Sequence, residues 1–233
     1  MNIALLGYGK MGKVIEQIAI SRGHTIVFTS SSSTKNIDLS NADVAIDFSI
    51  PSAAVNNISA CLNNNTPVVS GTTGWLNDYQ QMVDLCNKKQ GAFIYASNFS
   101  IGVNVFFELN KQLAKIMNNL KQYQVDIEEI HHTQKLDAPS GTAITLAEGI
   151  IANSNKSTWK LNNASEVSEI PISAKRIENV PGTHTINYTS DVDTISINHT
   201  AHNRNGFALG AVLAAEWIIH KKGIYTMKDV LGI

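Results

Sequence analysis

The chain has 233 residues, a formal net charge of -1 and 43% hydrophobic residues, which suits one large or two modest globular domains. It has no basic run and no apolar run of membrane-spanning length, so we expect neither a nucleic-acid nor a membrane partner. No charged-then-apolar leader precedes the first predicted strand, which favours a cytoplasmic protein. Cys61 and Cys86 fall in predicted helices and are expected to be buried free thiols.

The first motif is a glycine fingerprint. Residues 2–6 form a short apolar run typical of a buried strand, and a helical pattern begins soon after it. Between them lie Gly7, Tyr8, Gly9, Lys10, Met11 and Gly12. In G-x-G-x-x-G the first glycine permits a tight turn, the second lets a pyrophosphate approach the backbone, and the third lets helix and strand pack closely. We predict a dinucleotide-binding loop, with a plain glycine turn as the disfavoured alternative.

The second predicted strand, residues 24–28, bears on the choice of cofactor. It is not followed by the Asp or Glu that usually holds the ribose 2′-hydroxyl of NAD. Hydroxyls such as that of Ser30, with Lys10 or Lys35, would instead suit a 2′-phosphate. We therefore expect NADPH to be accepted at least as well as NADH; a polar linker is the alternative for residues 29–35.

The first half of the chain alternates strands with helices, which predicts a parallel sheet with helices on both faces. The further strands are 42–48, 67–70 and 92–96. Ligands of such sheets bind at the carboxyl ends of the strands. Two groups of residues at these ends are predicted cofactor contacts, with ordinary turns as the alternative: Gly71, Thr72 and Thr73, and Ala96, Ser97, Asn98 and Phe99.

The second half predicts a different architecture. A helix over 103–120 precedes a strand at 123–130, and 153–170 reads as an exposed excursion. Three later strands are expected to join the first in a roughly four-stranded mixed sheet, largely antiparallel: 172–180, 183–190 and 194–199. One helix cannot cover both faces of such a sheet, so we expect subunits to associate through it. A final helix over 207–220 and a tail at 223–231 are expected to pack back onto the first domain.

We therefore predict an α/β protein with two domains. A Rossmann-type dinucleotide-binding domain spans 1–100 and is completed by 206–233. A C-terminal α+β domain over 101–205 is predicted to bind substrate and to form the oligomer.

The stretch 128–142 carries the strongest chemical signal, because it joins a strand to a helix through a loop rich in functional groups. His131, His132 and Lys135 can each donate a proton or hydrogen bond. Ser140, Gly141 and Thr142 open the following helix, where free N–H groups and the helix dipole attract an anion. The stretch predicts a small-anion pocket beside acid–base groups.

Less specific interpretations of this stretch remain open. Lys135 could be an ordinary exposed lysine, and His131 a polar core residue or a metal ligand. We expect no metal, because adjacent histidines on a strand point apart and lack a third ligand in obvious spacing. Asp137 is expected to cap the turn before the helix. Glu128 and Glu129 either orient the histidines or are solvated.

These residues resemble a known family. The pattern Glu129-x-His131-His132-x-x-Lys135-x-Asp137-Ala138-Pro139-Ser140-Gly141-Thr142 closely resembles the signature of the 4-hydroxy-tetrahydrodipicolinate reductases, formerly called dihydrodipicolinate reductases. The similarity continues along nearly the whole chain, at 7–12, 47–49, 71–74, 98–104 and 200–211.

The resemblance implies reduction of a cyclic, unsaturated dicarboxylate amine by NADH or NADPH in the diaminopimelate route to lysine. It implies a homotetramer joined through the C-terminal sheets. His131 then corresponds to the proton donor and acceptor, and Lys135 to a proton donor. His132, Ser140, Gly141 and Thr142 correspond to the substrate-carboxylate site. Lys10, where many members have arginine, and the missing acid after the second strand affect only the cofactor preference.

Two other functions compete with this one. A dinucleotide-binding regulator would have no need to keep both His131 and Lys135. A dehydrogenase of another small amino acid, such as aspartate, would differ in the pocket around 140–142, and fold alone does not separate the two enzymes.

Overall fold

A computed structural model describes residues 1–31, 34 and 36–233. Its internal contacts divide the chain into two compact units. Unit 1 comprises Met1–Ile101 and Asn205–Ile233, and unit 2 comprises Gly102–Arg204. No helix in these described ranges is long and apolar enough to cross a membrane. The predicted 2′-phosphate contact of Lys35 lies outside the described residues.

Unit 1 is built on a six-stranded sheet in which all neighbouring strands run parallel. Its strands are β1 Asn2–Leu6, β2 Thr25–Ser30, β3 Val44–Asp47, β4 Val68–Ser70, β5 Ala92–Tyr95 and β11 Gly223–Tyr225. Their spatial order is β11-β5-β4-β3-β1-β2. The predicted Rossmann-type parallel sheet is thus confirmed. Strand β11 was not predicted, because the tail was expected only to pack against this domain.

Helices cover both faces of this sheet. They are α1 Lys10–Ser21, α2 Pro51–Asn63, α3 Tyr79–Lys89, α6 Asn205–Ile218 and the short α7 Met227–Leu231. Side chains alternate across β1, so that Ile3 and Leu5 pack with α1 and α6, while Ala4 and Leu6 pack with α2 and α3. Burial on both faces explains why β1 and β3 are continuous apolar runs. Cys61 and Cys86 are buried free thiols of the second cluster, as predicted.

Unit 2 is a five-stranded mixed sheet with helices on one face. The strands are β6 Gln124–His131, β7 Thr158–Leu161, β8 Glu169–Arg176, β9 Gly182–Thr189 and β10 Thr194–Ala201, in the order β10-β9-β6-β8-β7. Helices α4 Ile101–Met117 and α5 Gly141–Ile151 supply the remaining core. On β6, Val125 and Ile127 are buried in this core, whereas Asp126 and Glu128 on the other face stay partly exposed.

Two details of unit 2 differ from the prediction. The sheet has five strands, because β7 lies inside the segment that was expected to be an exposed excursion. This edge strand is four residues long and mostly exposed, so its alternation of polar and apolar residues is too short to predict a strand. The sheet is also not largely antiparallel, since β8 runs parallel to both β6 and β7. The mixed α+β architecture itself is confirmed.

Candidate active site

The candidate site of unit 2 is organised around the buried carboxylate of Glu129, which has no exposed surface. Its Oε1 accepts hydrogen bonds from the backbone N–H of Ser140 at 3.1 Å and from Nη2 of Arg176 at 3.2 Å. Its Oε2 lies 3.2 Å from Nδ1 of His131 and 3.7 Å from Nε2 of His184. Burial alone would raise the pKa of Glu129, but the donors from His131 and Ser140 lower it to about 2. Glu129 is therefore an anion at neutral pH.

Two histidine rings flank this carboxylate on neighbouring strands. His131 ends β6 and His184 lies on β9, and their ring centroids are 5.1 Å apart in a T-shaped arrangement. Burial, together with the charge of His131, lowers the pKa of His184 to about 4, so this ring is neutral at pH 7. Gly182 leaves room for the other ring, because a Cβ there would lie 3.1 Å from Nε2 of His131.

In the loop after β6, the side chain of Lys135 pairs with that of Asp137, two residues later. Nζ of Lys135 lies 2.8 Å from each carboxylate oxygen of Asp137. These bonds lower the pKa of Asp137. The expectation that Asp137 caps the following turn was wrong, because its carboxylate pairs with this ammonium instead. The N-cap of α5 is Ser140, whose Oγ accepts a hydrogen bond from Ala143 N at 3.2 Å.

At the start of α5, one of the three predicted donors is already used within the protein. The N–H of Ser140 is already bound to Glu129, and its Oγ lies 3.1 Å from Nε2 of His184. The N–H groups of Gly141 and Thr142 have no protein partner among the described residues. A Cβ at Gly141 would also meet no described atom within 4 Å, so the space beside this peptide is open. His132 lies one residue beyond β6 and its Nδ1 is buried without a hydrogen-bond partner in the described part of the chain.

In unit 1, the glycine loop has the geometry that its sequence predicted. Gly7 has φ +100°, and a Cβ there would lie 2.2 Å from the carbonyl oxygen of Phe48. A Cβ at Gly12 would lie 2.3 Å from the carbonyl oxygen of Gly7, so helix and loop touch. At Gly9, by contrast, a Cβ would meet no described atom within 4 Å. Gly9 is the N-cap of α1, whose first turn carries no acid, so this open position suits an anion at a helix N-terminus.

Some of the other predicted cofactor contacts are buried or hydrogen-bonded within the protein, and the rest keep exposed surface. Ser30 accepts hydrogen bonds from the N–H groups of Gly7 and Tyr8, so it supports the loop from the end of β2. Oγ1 of Thr72 accepts a hydrogen bond from Ser49 N at 2.8 Å, and the side chain of Phe99 is buried in the core. Exposed surface at the strand ends remains at these residues: Lys10, Gly71, Thr73, Ala96, Ser97 and Asn98.

Three side chains could also hold a metal ion by distance alone. Ligand atoms of Glu129, His131 and His184 lie within 4.8 Å of one another. The carboxylate is already matched by the guanidinium of Arg176, which would repel a second cation. The absence of a metal site stays a prediction.

The sequence pointed to Glu129 only as one of two options, and it did not single out Arg176 or His184. The sheet register brings them together, since Glu129 pairs with His184 across β6 and β9, and His131 pairs with Arg176 across β6 and β8. The one local signal was that Glu129 and His131 share a face of a strand with period two.

Comparison with known families assigns both halves of the chain. The family model described as "Dihydrodipicolinate reductase, N-terminus" matches residues 1–99, and "Dihydrodipicolinate reductase, C-terminus" matches residues 102–231. The chain belongs to the dihydrodipicolinate reductase family. A curated 4-hydroxy-tetrahydrodipicolinate reductase of Christiangramia forsetii is 61% identical over 235 residues, covering 100% of this chain and 98% of the relative. That of Rickettsia bellii is 37% identical, covering 98% of this chain and 94% of the relative.

Solved structures show the same fold at lower identity. A dipicolinate-bound dihydrodipicolinate reductase from Paenisporosarcina sp. TG-14 aligns with a TM-score of 0.77 and 24% identity, covering 98% of each chain. A probable dehydrogenase from Thermotoga maritima aligns with a TM-score of 0.61 and 10% identity, covering 99% of this chain and 92% of that one. At such identities the likeness concerns the fold alone.

Proposed function

We propose that this chain reduces 4-hydroxy-tetrahydrodipicolinate to tetrahydrodipicolinate in lysine biosynthesis through diaminopimelate. The 4-hydroxyl takes up a proton and leaves as water, and NADH or NADPH supplies the hydride. The family and its curated relatives identify the chain as an oxidoreductase of this reaction. The observation that carries the proposal at the level of chemistry lies in unit 2. One short stretch joins the imidazole of His131, the ammonium of Lys135 and the open amides of Gly141 and Thr142.

Unit 1 is the proposed dinucleotide-binding unit. The open space at Gly9 and the uncapped first turn of α1 fit a pyrophosphate, and Lys10 adds an exposed cation beside them. The bound nicotinamide supplies the hydride. Among the described residues β2 ends in Ser30 without a carboxylate, which supports acceptance of NADPH at least as readily as NADH. The exposed strand-end residues of β4 and β5 are the proposed contacts for the rest of the cofactor.

Unit 2 is the proposed substrate-binding unit, because the substrate brings two carboxylates that need separate donors. The N–H groups of Gly141 and Thr142 at the positive end of α5 are the proposed partners of one carboxylate. The hydroxyl of Ser140 contributes through the cap that fixes this turn. His132, adjacent to the loop, is the proposed donor to the second carboxylate, together with Lys135.

Lys135 and His131 are the proposed proton-handling residues. Hydride addition leaves negative charge on the substrate, which a nearby ammonium stabilises and then neutralises by giving up a proton. Asp137 forms an ion pair with the Lys135 ammonium. A substrate carboxylate that binds Lys135 would therefore replace Asp137 as its partner. His131, beside the ionised Glu129, can pass a proton to or from this position.

We also propose a homotetramer formed through the sheet of unit 2. The face of that sheet opposite α4 and α5 remains partly exposed, and its polar groups are paired within the sheet, such as Asn187 Nδ2 with Asp126 Oδ1 at 2.9 Å. The sheet of a second subunit could therefore pack against this face without leaving buried polar groups that lack hydrogen-bond partners. Light scattering at micromolar concentration should give four times the chain mass, and a monomer mass would contradict the proposal. A cytoplasmic location is proposed on the two free thiols.

The reaction is tested by incubating the purified protein with freshly generated 4-hydroxy-tetrahydrodipicolinate and following the absorbance of NADPH and, separately, of NADH. Oxidation of either cofactor that depends on the substrate is the expected result, with NADPH used at least as well as NADH. Aspartate with the oxidised cofactors serves as the control for the competing dehydrogenase function. Binding of cofactor without substrate-dependent oxidation would contradict the proposal and favour a regulator.

A further inference from the structure

We infer that Arg176 is a positioning residue, which fastens the loop 132–139 to the sheet and thereby sets where the ammonium of Lys135 stands relative to His131. The kinetic part of this inference rests on the proposed function. The structural part does not, and it can be measured without any substrate.

The guanidinium of Arg176 reaches the loop and the buried carboxylate together. Its Nε donates to the carbonyl oxygen of Lys135 at 3.3 Å, and its Nη2 donates to the carbonyl oxygen of Asp137 at 2.6 Å. The same Nη2 lies 3.2 Å from Oε1 of Glu129. One planar group therefore joins the two carbonyls on either side of Leu136 to the anion that also faces His131.

The middle of the loop has little else to hold it, because the buried residue of the loop, Pro139, lies at its far end. Leu136 is 97% exposed, so it makes no apolar anchor. Lys135 N donates to His132 O, but this bond lies within the loop. In the described part of the chain, the carbonyls of 133–139 that accept hydrogen bonds from the sheet are those of Lys135 and Asp137, and both bonds come from Arg176. Removing the guanidinium would release the main chain on both sides of Leu136, directly after Lys135.

Charge and shape make separate contributions, which allows them to be tested apart. The cation compensates Glu129, a carboxylate with no exposed surface, and an uncompensated buried charge is destabilising. The planar fork reaches several acceptors at fixed angles, which the single ammonium of lysine does not reproduce. Arg176→Lys keeps the charge and loses the fork, whereas Arg176→Met loses both.

Strand β8 offers a matched control at the next residue. Lys175 is paired with Glu128 on the opposite face of the sheet and its side chain is 54% exposed. Lys175→Met removes one cation from the same strand without touching the loop. Because Lys175 lies on the face proposed for subunit association, light scattering must first show that the variant keeps the mass of the unmodified protein. Its turnover should then change by no more than about twofold.

The kinetic experiment compares kcat and KM of Arg176→Lys, Arg176→Met and Lys175→Met. Misplacing a catalytic group by about 1 Å can cost on the order of 100-fold in rate. We expect kcat to fall on the order of 100-fold in Arg176→Met and on the order of tenfold in Arg176→Lys. The KM for NADPH should stay unchanged, and added guanidinium should restore part of the activity of Arg176→Met. Turnover of Arg176→Lys and Arg176→Met equal to that of Lys175→Met would overturn the inference.

The second experiment measures amide hydrogen exchange of the full chain, with no substrate present. In Arg176→Lys and Arg176→Met, peptides covering 132–139 should exchange faster than in the unmodified protein, while peptides of α1 and β9 keep their protection. Unchanged exchange in the loop would overturn the inference, as would a uniform loss of protection through the sheet of unit 2 in Arg176→Lys. If the unmodified protein fails to oxidise NADPH, the proposed function fails while this measurement still decides the role of Arg176.

Discussion

Nδ1 of His131 lies 3.2 Å from Oε2 of Glu129, two residues earlier on the same strand. The pair shares one face of β6, since residues two apart on a strand point the same way. Hydrogen bonds from His131 and Ser140 keep the pKa of Glu129 low, and an anion beside Nδ1 favours the tautomer in which that nitrogen carries the proton. The other ring nitrogen, Nε2, lies beside Gly182, where an added Cβ would be 3.1 Å away.

Glu129→Gln should lower turnover and make stability less dependent on pH. The folded protein holds the pKa of Glu129 at about 2, below the ordinary 4.5, so ionisation favours the folded state above pH 4.5 and this advantage is lost as the pH falls toward 2. The pH-dependent part is on the order of 3 kcal/mol. Urea unfolding at a series of pH values measures it.

Glu128→Gln is the matched control for that substitution. Glu128 is adjacent in sequence, lies on the other face of β6 and pairs with the half-exposed Lys175. Its replacement should leave turnover and the shape of the stability profile nearly unchanged. Equal effects of the two substitutions would argue against a special role for Glu129.

His184 should remain neutral through the physiological range. Burial and the neighbouring His131 lower its pKa from 6.5 to about 4. The unfolded chain takes up this proton near pH 6.5, whereas the folded chain takes it up only near pH 4. The free energy of unfolding should therefore decrease as the pH falls from 6.5 toward 4, and His184 should not affect its pH dependence above 6.5. Imidazole resonances followed by NMR should show a midpoint near pH 4. A midpoint near 6.5 would place the ring in a more polar setting than the structure shows.

The two glycines of the cofactor loop should respond differently to the same added methyl group. At Gly12 a Cβ would lie 2.3 Å from a carbonyl oxygen, so Gly12→Ala should destabilise unit 1. At Gly9 the space is open, so Gly9→Ala should fold normally and raise the KM for NADPH by obstructing the approach of the pyrophosphate. Thermal unfolding and steady-state kinetics separate the two outcomes, and an unchanged KM in Gly9→Ala would contradict the assigned binding loop.

Ser140→Ala should weaken the start of α5. The hydroxyl caps this helix through Ala143 N, and loss of a serine N-cap typically costs about 1 kcal/mol in free energy of unfolding. Thr145→Ala, in the same helix, serves as the control, since it removes a hydroxyl that donates to the carbonyl oxygen of Gly141 and caps no N–H group in the described part of the chain. Denaturant unfolding should rank Ser140→Ala as clearly less stable than Thr145→Ala; the reverse order would argue against the cap.

Local features of the fold followed from the sequence because their causes are local. The glycine loop, the buried strands β1 and β3 and the start of α5 each depend on residues within one turn or one strand. Strand β7 was missed because its alternation of polar and apolar residues spans only four residues in a segment that is otherwise polar. Strand β11 was missed because its order depends on pairing with β5, more than a hundred residues earlier in the chain.

The candidate site shows the same division. His131, Lys135 and the proposed donors of α5 lie in one stretch and were predicted from it. Their supports come from other strands: Arg176 from β8 and His184 from β9. The sheet register places these side chains around Glu129, and that register depends on pairing between strands about 50 residues apart, which local patterns do not reveal.

The most direct test of the proposed chemistry is the turnover of Lys135→Met with 4-hydroxy-tetrahydrodipicolinate and NADPH, compared with that of Lys160→Met. Lys160 is a half-exposed lysine of β7 that lies near Glu169, away from the loop. Positioned proton donors typically contribute on the order of 100-fold or more in rate, so kcat of Lys135→Met should fall at least that far, while binding of NADPH and the Lys160→Met variant stay near normal. Near-normal turnover of Lys135→Met would contradict the account.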